Sequence, residues 1–331
     1  MKVLALFDLN RTPKPDEVFT PEILDKEMGK KMEADIIASL QRLGHEVDCL
    51  PMYKDVRCLL DRIDQGKPDV VFNMIESFLG YRDGGPSMPA LLDLLNVRYT
   101  GAGPESLLLC KDKSVAKTLL NYHRIPIAKF VISHKRRPLR SLKRFQFPAF
   151  VKPLGEESSD GIALASFTKT EEETLARAKF IHDKFGTDAL IEEYIDGREL
   201  YVSVLGEHRP TVYPARELCF GKIPDDTPKF ATAHAKWNDE YRKRWEIDNK
   251  AAENLPEGVT QRLERLARKV YRILKIRGLG RIDFRLRPDG EIVFMEANPN
   301  PSLAAGDDFP ESAAAAGVSY DAMVQKILDL A

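Results

Sequence analysis

The sequence predicts a mixed α/β and α+β protein, with a parallel sheet near its start and an antiparallel hairpin near its end. Two observations carry this. Over residues 1–104, short apolar runs alternate with helical stretches, the pattern of βαβ units around a parallel sheet. Farther on, Asp289-Gly290 separates two strand-like runs, a strong two-residue turn signal. A chain of 331 residues exceeds one ordinary core, so two or three domains are expected.

In order, residues 3–7 read as a buried strand, followed by a loop rich in Pro and Asp. One helical stretch covers 21–43 and stops at Gly44. Residues 45–50 read as a strand, 56–63 as a helix, 68–72 as a strand, 89–95 as a short helix and 97–100 as a strand. The run Thr100-Gly-Ala-Gly-Pro104 marks a domain boundary. Residues 107–123 read as a helix bearing Lys111, Lys113 and Lys117. Residues 134–144 hold six Lys or Arg, but no aromatic interleaving accompanies them, so they read as a solvated connector rather than a nucleic-acid patch. Strands at 147–152 and 162–166 flank a small-residue loop, and a helix spans 169–185. Strands at 189–194 and 199–205, an irregular stretch over 219–249, a helix over 260–275 and the hairpin complete the pattern.

Composition narrows the function. Hydrophobic residues at 43 % and charged residues at 31 % fit a globular protein, and no run approaches a membrane span. A net charge of −1 supplies no field toward nucleic acid or a membrane surface. Cys49, Cys58, Cys110 and Cys219 show no CxxC spacing, which argues against a disulfide framework or zinc and fits a reducing cytoplasm. The histidines form no HxxxH pair. The apolar run before Asp8 is too short for a signal peptide, so a cytoplasmic location is expected.

The hairpin carries most of the chemistry. Closing it at Asp289-Gly290 pairs Arg287 with Ile292, Arg285 with Phe294, Asp283 with Glu296 and Arg281 with Asn298. Alternation then puts Arg281, Asp283, Glu296 and Asn298 on one face, with Ile282, Phe284, Leu286, Val293, Met295 and Ala297 as core on the other. Two carboxylates directly across a ladder repel. A divalent cation removes that cost, and Mg²⁺ takes a few carboxylate or amide oxygens together with substrate phosphates. A solvated acidic face is the alternative.

Two other segments add to this. In Lys152-Pro-Leu-Gly-Glu-Glu-Ser-Ser-Asp-Gly161, Gly155, Ser158, Ser159 and Gly161 let backbone N–H groups approach an anion, and Lys152 adds a point charge. A plain turn fits as well, and neither a P-loop nor a dinucleotide fingerprint is present. Residues 191–199 read as strand, turn and strand. Backbone groups near Glu193 to Ile195 can meet a purine edge and Glu199 can accept from ribose hydroxyls, or the segment is a surface hairpin.

Together these segments resemble the ATP-grasp superfamily, and within it the D-alanine–D-alanine ligases. The likeness runs in order through Tyr99-Thr-Gly-Ala-Gly103, Asp112-Lys113, Phe147-Pro-x-x-Val-Lys-Pro153, Ser158-Ser159-x-Gly161, Ile191-Glu-Glu-x-Ile195, Ala235-Lys236, Gly280-Arg-Ile-Asp283 and Glu296-Ala-Asn-Pro299. The resemblance implies an ATP-grasp fold: an N-terminal parallel α/β domain over 1–104, a small central domain over 105–187 and a C-terminal antiparallel-sheet domain over 188–331. It implies that Lys113 and Lys152 hold ATP phosphates and that Ser158 and Ser159 cover them. Glu192, Glu193 and Ile195 would frame adenine, Glu199 would hold ribose and Lys236 would reach the phosphates. Asp283, Glu296 and Asn298 would bind two Mg²⁺ ions, for which Mn²⁺ can substitute, and Arg281 would stabilise an oxyanion. The implied reaction joins a small-molecule carboxylate to an amine through an acyl phosphate, releasing ADP and phosphate. A homodimer is implied by the family alone.

Departures cluster at the amino-acid substrate site. The family's Gly-Gly-x-Ser-x-Glu signature, whose Glu binds the first D-alanine's ammonium, is replaced by Phe7-Asp-Leu-Asn-Arg11. Where the family shows a substrate-side His and Gly-Glu-Asp-Gly, Glu76-Ser77 and Tyr81-Arg-Asp-Gly84 stand here. The glycine after Glu-x-Asn-x-x-Pro is Ser302. The Ser-Leu pair that holds the second alanine's carboxylate falls at Asp307-Asp308, Trp237 replaces a tyrosine and Glu157 a loop glycine. An aspartate beside an acceptor carboxylate repels it. The expectation is therefore an acceptor other than D-alanine, either an amine without that carboxylate or one with an extra cation. A true D-alanine–D-alanine ligase and a non-catalytic nucleotide-binding module remain the alternatives.

Overall fold

The computed structural model describes every residue except Pro15 and residues 82–83, 156–160 and 225–226. Among the described residues, three sheets form the frame. The first holds β1 (Lys2–Asp8), β2 (Glu46–Met52) and β3 (Val70–Met74), all parallel, in the order β2-β1-β3. Around it lie α1 (Pro21–Lys26), α2 (Lys31–Arg42), α3 (Arg57–Gly66) and α4 (Ser87–Leu94). Val3, Ala5 and Phe7 of β1 face Ile36, Ile37 and Leu40 of α2, while Leu4 and Leu6 face Leu59 of α3 and Leu92 of α4. Both faces are covered, which is why β1 is an unbroken apolar run.

Two expectations for this region are corrected. The single helix over 21–43 is two, because Gly29 takes φ +64° and ends the first before Lys31 opens the second. The strand at 97–100 is reduced to one parallel bridge between Val71 and Tyr99.

Next come α5 (Pro104–Lys111) and α6 (Lys113–Tyr122), in place of one expected helix. Asp112 leaves helical geometry between them and caps α6, its Oδ1 accepting the N–H groups of Ser114 at 2.9 Å and Val115 at 3.1 Å. The second sheet, β4 (Phe130–Ser133), β5 (Ala149–Pro153), β6 (Phe167–Thr168) and β7 (Ala189–Glu193), is antiparallel in the order β4-β7-β5-β6, with α7 (Glu171–Phe185) packed on it. In place of the strand expected at 162–166, a 3-10 turn over Leu164–Ser166 precedes β6.

The third sheet is also antiparallel. It contains β8 (Arg198–Leu205), β9 (Thr211–Val212), β10 (Arg216–Phe220), β11 (Ile247–Ala251), β12 (Leu279–Leu286) and β13 (Ile292–Pro299). The order is β11-β10-β8-β12-β13, with β9 beside β8. Between β10 and β11 lie α8 (Ala233–Trp237) and α9 (Asp239–Trp245), so the stretch expected to be irregular holds two short helices, while the described residues of 221–232 form neither helix nor strand. The buried face of α10 (Val259–Ile273), through Leu263, Ala267, Val270 and Tyr271, covers β8 and β12. Finally, α11 (Asp308–Ala315) and α12 (Tyr320–Asp329) return to the first sheet. Phe309, Met323, Val324 and Ile327 pack in the same cluster as Val3, Ala5 and Phe7. Among the described residues, no helix is long and apolar enough to cross a membrane.

Two of the motifs meet at one point. Gly101 has φ +90°, and Asn300, in the turn after β13, accepts the Ala102 N–H at 2.7 Å. A Cβ on residue 101 would run into that Asn300 amide. Gly101→Ala therefore combines a left-handed φ with a displaced hydrogen bond, and is expected to cost about 2 kcal/mol. Urea unfolding checks this, and an unchanged midpoint would refute it.

Candidate active site

The hairpin delivers the site. Arg281 lies opposite Asn298 and Asp283 opposite Glu296, as alternation requires. Toward the turn the register shifts. Phe284 pairs with Phe294, Arg285 with Val293 and Leu286 with Ile292, so the expected pairings of Arg285 with Phe294 and of Arg287 with Ile292 are corrected. Met295 is the extra residue of a bulge, and one extra residue inverts the alternation beyond it. Ile292 and Phe294 thereby join the core with Ile282, Phe284, Leu286 and Ala297. Val293 and Met295, expected in that core, instead group with Ala128 and Ile195.

The polar end of this face is held by buried ion pairs. Arg281 donates from Nε to Asp283 Oδ1 at 2.8 Å and from Nη2 to Oδ2 at 2.9 Å, and its guanidinium lies 4.7 Å from the Tyr201 ring centre. Tyr201 is directly across the ladder from Asp283 on β8. Asn298 Nδ2 donates to Asp283 Oδ2 at 3.1 Å. Burial pushes the Asp283 carboxyl above its ordinary range even though Arg281 and Lys236 act against it. Burial also acts to raise Glu296, but the ammoniums of Lys113, Lys152 and Lys236 outweigh it and bring that carboxyl down to about 2. Lys113 Nζ, on the first residue of α6, is 3.4 Å from Glu296 Oε1.

A second knot lies behind it. Glu192 of β7 is wholly buried, with Lys117 Nζ of α6 at 2.8 Å from one oxygen and Lys152 Nζ of β5 at 2.8 Å from the other. Burial disfavours the Glu192 charge, yet the two lysines hold its carboxyl below the usual range. Two ammoniums against one carboxylate leave the trio net positive. Burial and the Lys152 charge accordingly hold Lys117 low. Lys152 lies above its usual range because Glu192, Glu296 and Glu199 overcome its burial.

Glu199 accepts from Arg285 Nη2 at 2.7 Å and from the Tyr201 hydroxyl at 2.7 Å. Buried Arg285 also donates to the carbonyls of Gly197 at 2.9 Å and Lys229 at 2.8 Å. Glu193 pairs with Arg287 at 2.9 Å. Ser158 and Ser159, with Glu157, lie outside the described residues, as does the side chain of Trp237.

Next to the Arg281 face opens a cavity of about 610 Å³. The four expected substrate-side residues, Glu76, Ser302, Asp307 and Asp308, line it together with Arg281, Glu296, Asn298 and Lys236. Glu76 is brought there by Asp8 at the end of β1, which accepts the Glu76 N–H at 3.0 Å and the Ser77 hydroxyl at 2.6 Å. Sequence reasoning assigned no role to Lys117, Tyr201, Arg216, Arg242, Asn249 or Arg285. Only Arg285 carried a local signal, since it continues the alternation of Arg281 and Asp283 along β12.

Among the described residues, no group of three His, Cys, Asp or Glu gathers as a metal centre. Asp283, Glu296 and Asn298 form a different set, two carboxylates and an amide. Such hard oxygens suit Mg²⁺ when phosphates and water complete its shell. The incompletely compensated burial of Asp283 fits the same ion.

A family model described as "D-ala D-ala ligase C-terminus" matches residues 117–329. The chain is 31% identical over 303 residues to an uncharacterized protein, y4sG, of Sinorhizobium fredii, covering 89% of this chain and 86% of the relative. It is 28% identical over 318 residues to a D-alanine–D-alanine ligase of Moorella thermoacetica, covering 93% and 95%. A crystal structure of D-alanine–D-alanine ligase from Bacillus anthracis complexed with ATP shares its fold, with TM-score 0.72, 20% identity and coverage of 100% of this chain and 97% of that one.

Removing Glu192 strands two buried ammoniums. Glu192→Ala is expected to cost about 3–5 kcal/mol in urea unfolding. The stability Glu192 contributes is complete above the ordinary glutamate value of 4.5 and is lost as pH falls through its depressed folded value. Wild type should therefore weaken on acidification below that point more steeply than Glu192→Gln, and parallel acid profiles would exclude the ion-paired role.

Proposed function

The chain belongs to the D-alanine–D-alanine ligase family of ATP-grasp enzymes, and on that premise we propose that it joins a carboxylate, of an amino acid or small peptide, to an amine acceptor other than D-alanine. The observation that carries this reading is the convergence of Arg281, Asp283, Glu296 and Asn298 on one hairpin face, beside a cavity and within the field of Lys113, Lys152 and Lys236. A carboxylate is a poor electrophile until its oxygen becomes phosphate, a good leaving group. The donor oxygen attacks the γ-phosphoryl of ATP, giving an acyl phosphate and ADP. The amine then attacks the acyl carbon, phosphate leaves with the bonding pair, and the nitrogen loses a proton to give the amide. Such chemistry asks for positioning and charge neutralisation rather than a protein nucleophile.

In this reading Lys113, Lys152 and Lys236 hold the ATP phosphates, with Ser158 and Ser159 covering them. Ala128, Ile195, Val293 and Met295 supply an apolar floor for adenine, framed by Glu193; Glu192, also expected to frame adenine, is instead wholly buried between Lys117 and Lys152 and positions Lys152 from behind. Glu199, steadied by Arg285 and Tyr201, accepts from ribose hydroxyls. Asp283, Glu296 and Asn298 hold two Mg²⁺ ions, or Mn²⁺, whose chemistry is to neutralise the transferring phosphoryl group. Arg281, on the cavity wall, stabilises the oxyanion of the tetrahedral intermediate. Substrates other than paired D-alanine are supported by Glu76, Ser302, Asp307 and Asp308, which replace the family's residues around that cavity.

The test is ADP release with Mg-ATP across D-alanine, other D- and L-amino acids, dipeptides and simple amines. Release is expected only when a carboxylate and an amine are both present, and chelation should abolish it. Arg281→Ala should lower kcat by about 10²–10³-fold with a smaller change in the KM for ATP. Turnover with D-alanine alone would overturn the substrate assignment. ATP binding with no turnover on any pair would point to a nucleotide-binding module instead.

A further inference from the structure

On the wall of the same cavity as Glu296, one carboxylate is held as a bound substrate would be. Asp308, the first residue of α11, keeps its side chain 10% exposed. Asn249 Nδ2 donates to its two oxygens at 2.9 and 2.8 Å. Arg216 Nε lies 3.6 Å from Oδ1, and Arg281 Nη1 lies 3.9 Å from Oδ2. The receptor is itself built from other elements. Arg216 Nη2 donates to the Asn249 carbonyl at 2.6 Å, and Arg242 Nη2 donates to Asn249 Oδ1 at 3.1 Å, so the amide presents its NH₂ to Asp308. Arg242 Nη1 donates to the Ala235 carbonyl at 2.7 Å, next to Lys236. Two guanidiniums and an oriented amide are the usual recognition set for a small-molecule carboxylate. Here the chain's own carboxylate fills it.

We propose that Asp308 is a built-in carboxylate occupying the acceptor's carboxylate subsite, so that the amine substrate carries no carboxylate beside its amino group. The proposal rests on the ligase reading and refines it. Asp308 shares Arg281 with Asp283 and Arg216 with Glu311, and its two oxygens are satisfied chiefly by the Asn249 amide. It excludes an anion by taking its receptor and by repelling a second negative charge within a few ångström. Asp307, exposed at the adjoining position on the cavity wall, adds to that repulsion. Asn249 and Arg242 are positioning residues for the filled receptor and act on the acceptor only through Asp308.

The first measurement needs no substrate. Thermal unfolding of wild type and Asp308→Ala is followed against sodium acetate, with sodium chloride at matched ionic strength as control. Vacating the receptor should create acetate-specific stabilisation, at a half-saturating concentration about tenfold or more below any response of wild type. Equal responses, or a folded Asp308→Ala blind to acetate, would mean that Asp308 is a structural ion-pair member and would overturn the proposal. If the alanine variant does not fold, Asp308→Ser, whose shorter side chain also vacates the receptor, is titrated in the same way and judged by the same outcomes. A second measurement separates this from the ligase reading. ATP-dependent hydroxamate formation with hydroxylamine, a carboxylate-free nucleophile, is assayed over the carboxylate panel. Hydroxamate from no donor sinks the ligase reading whatever acetate does. With a donor found, alaninamide should exceed alanine as acceptor by about tenfold or more in wild type, with the preference shrinking in the Asp308 variant. Equal use of the two would refute the built-in carboxylate.

Discussion

Buried charge that must be paired is the constraint on which the rest of this molecule depends. Glu192, Asp283, Glu296 and Asp308 each sit against cations, most of them supplied by other elements. A buried charge left alone costs several kcal/mol, while a satisfied one adds little to net stability. These pairs therefore specify arrangement more than they add strength. Lys117 and Lys152 lock α6 and β5 onto β7 through Glu192. One turn earlier on α6, Lys113 reaches Glu296 and ties the same helix to the third sheet. A nucleotide brought to this region would meet charges whose positions are already set, so little ordering is left to binding.

The bulge at Met295 is the second constraint, and it explains how one strand face carries both charged and apolar side chains. Regular alternation would continue the polar row of Asn298 and Glu296 toward the turn at Phe294, with Val293 and Met295 in the core. The extra residue inverts this, so the row passes from charge to Met295 and Val293, which pack with Ile195. Charged and apolar side chains thus lie side by side without a change of element.

What could be read in advance follows from the range of the interactions. Alternation across β12 and β13 near Asp283 and Glu296 is local, and it was legible. The same holds for the parallel sheet, whose β1 is apolar on both faces. The bulge was not legible, because it depends on what β13 packs against rather than on its own residues. The break at Gly29 and the division at Asp112 were open to reading, since glycine ends helices and aspartate caps them, but longer apolar periodicity masked both. The receptor around Asp308 had no signal at all. Arg216, Arg242 and Asn249 come from two strands and a short helix whose meeting is purely tertiary.

The return of α11 and α12 to the first sheet has a bearing on biosynthesis. Val3, Ala5 and Phe7 leave the ribosome long before Phe309, Met323, Val324 and Ile327, which share their cluster. While the ribosome is still making the intervening chain, that sheet face is apolar and incompletely covered. Such a surface on an unfinished polypeptide is what holdase chaperones bind and what drives aggregation. The first sheet is thus completed only once α11 and α12 have been made. This protein folds less as beads on a string than as a loop that must close on its own beginning.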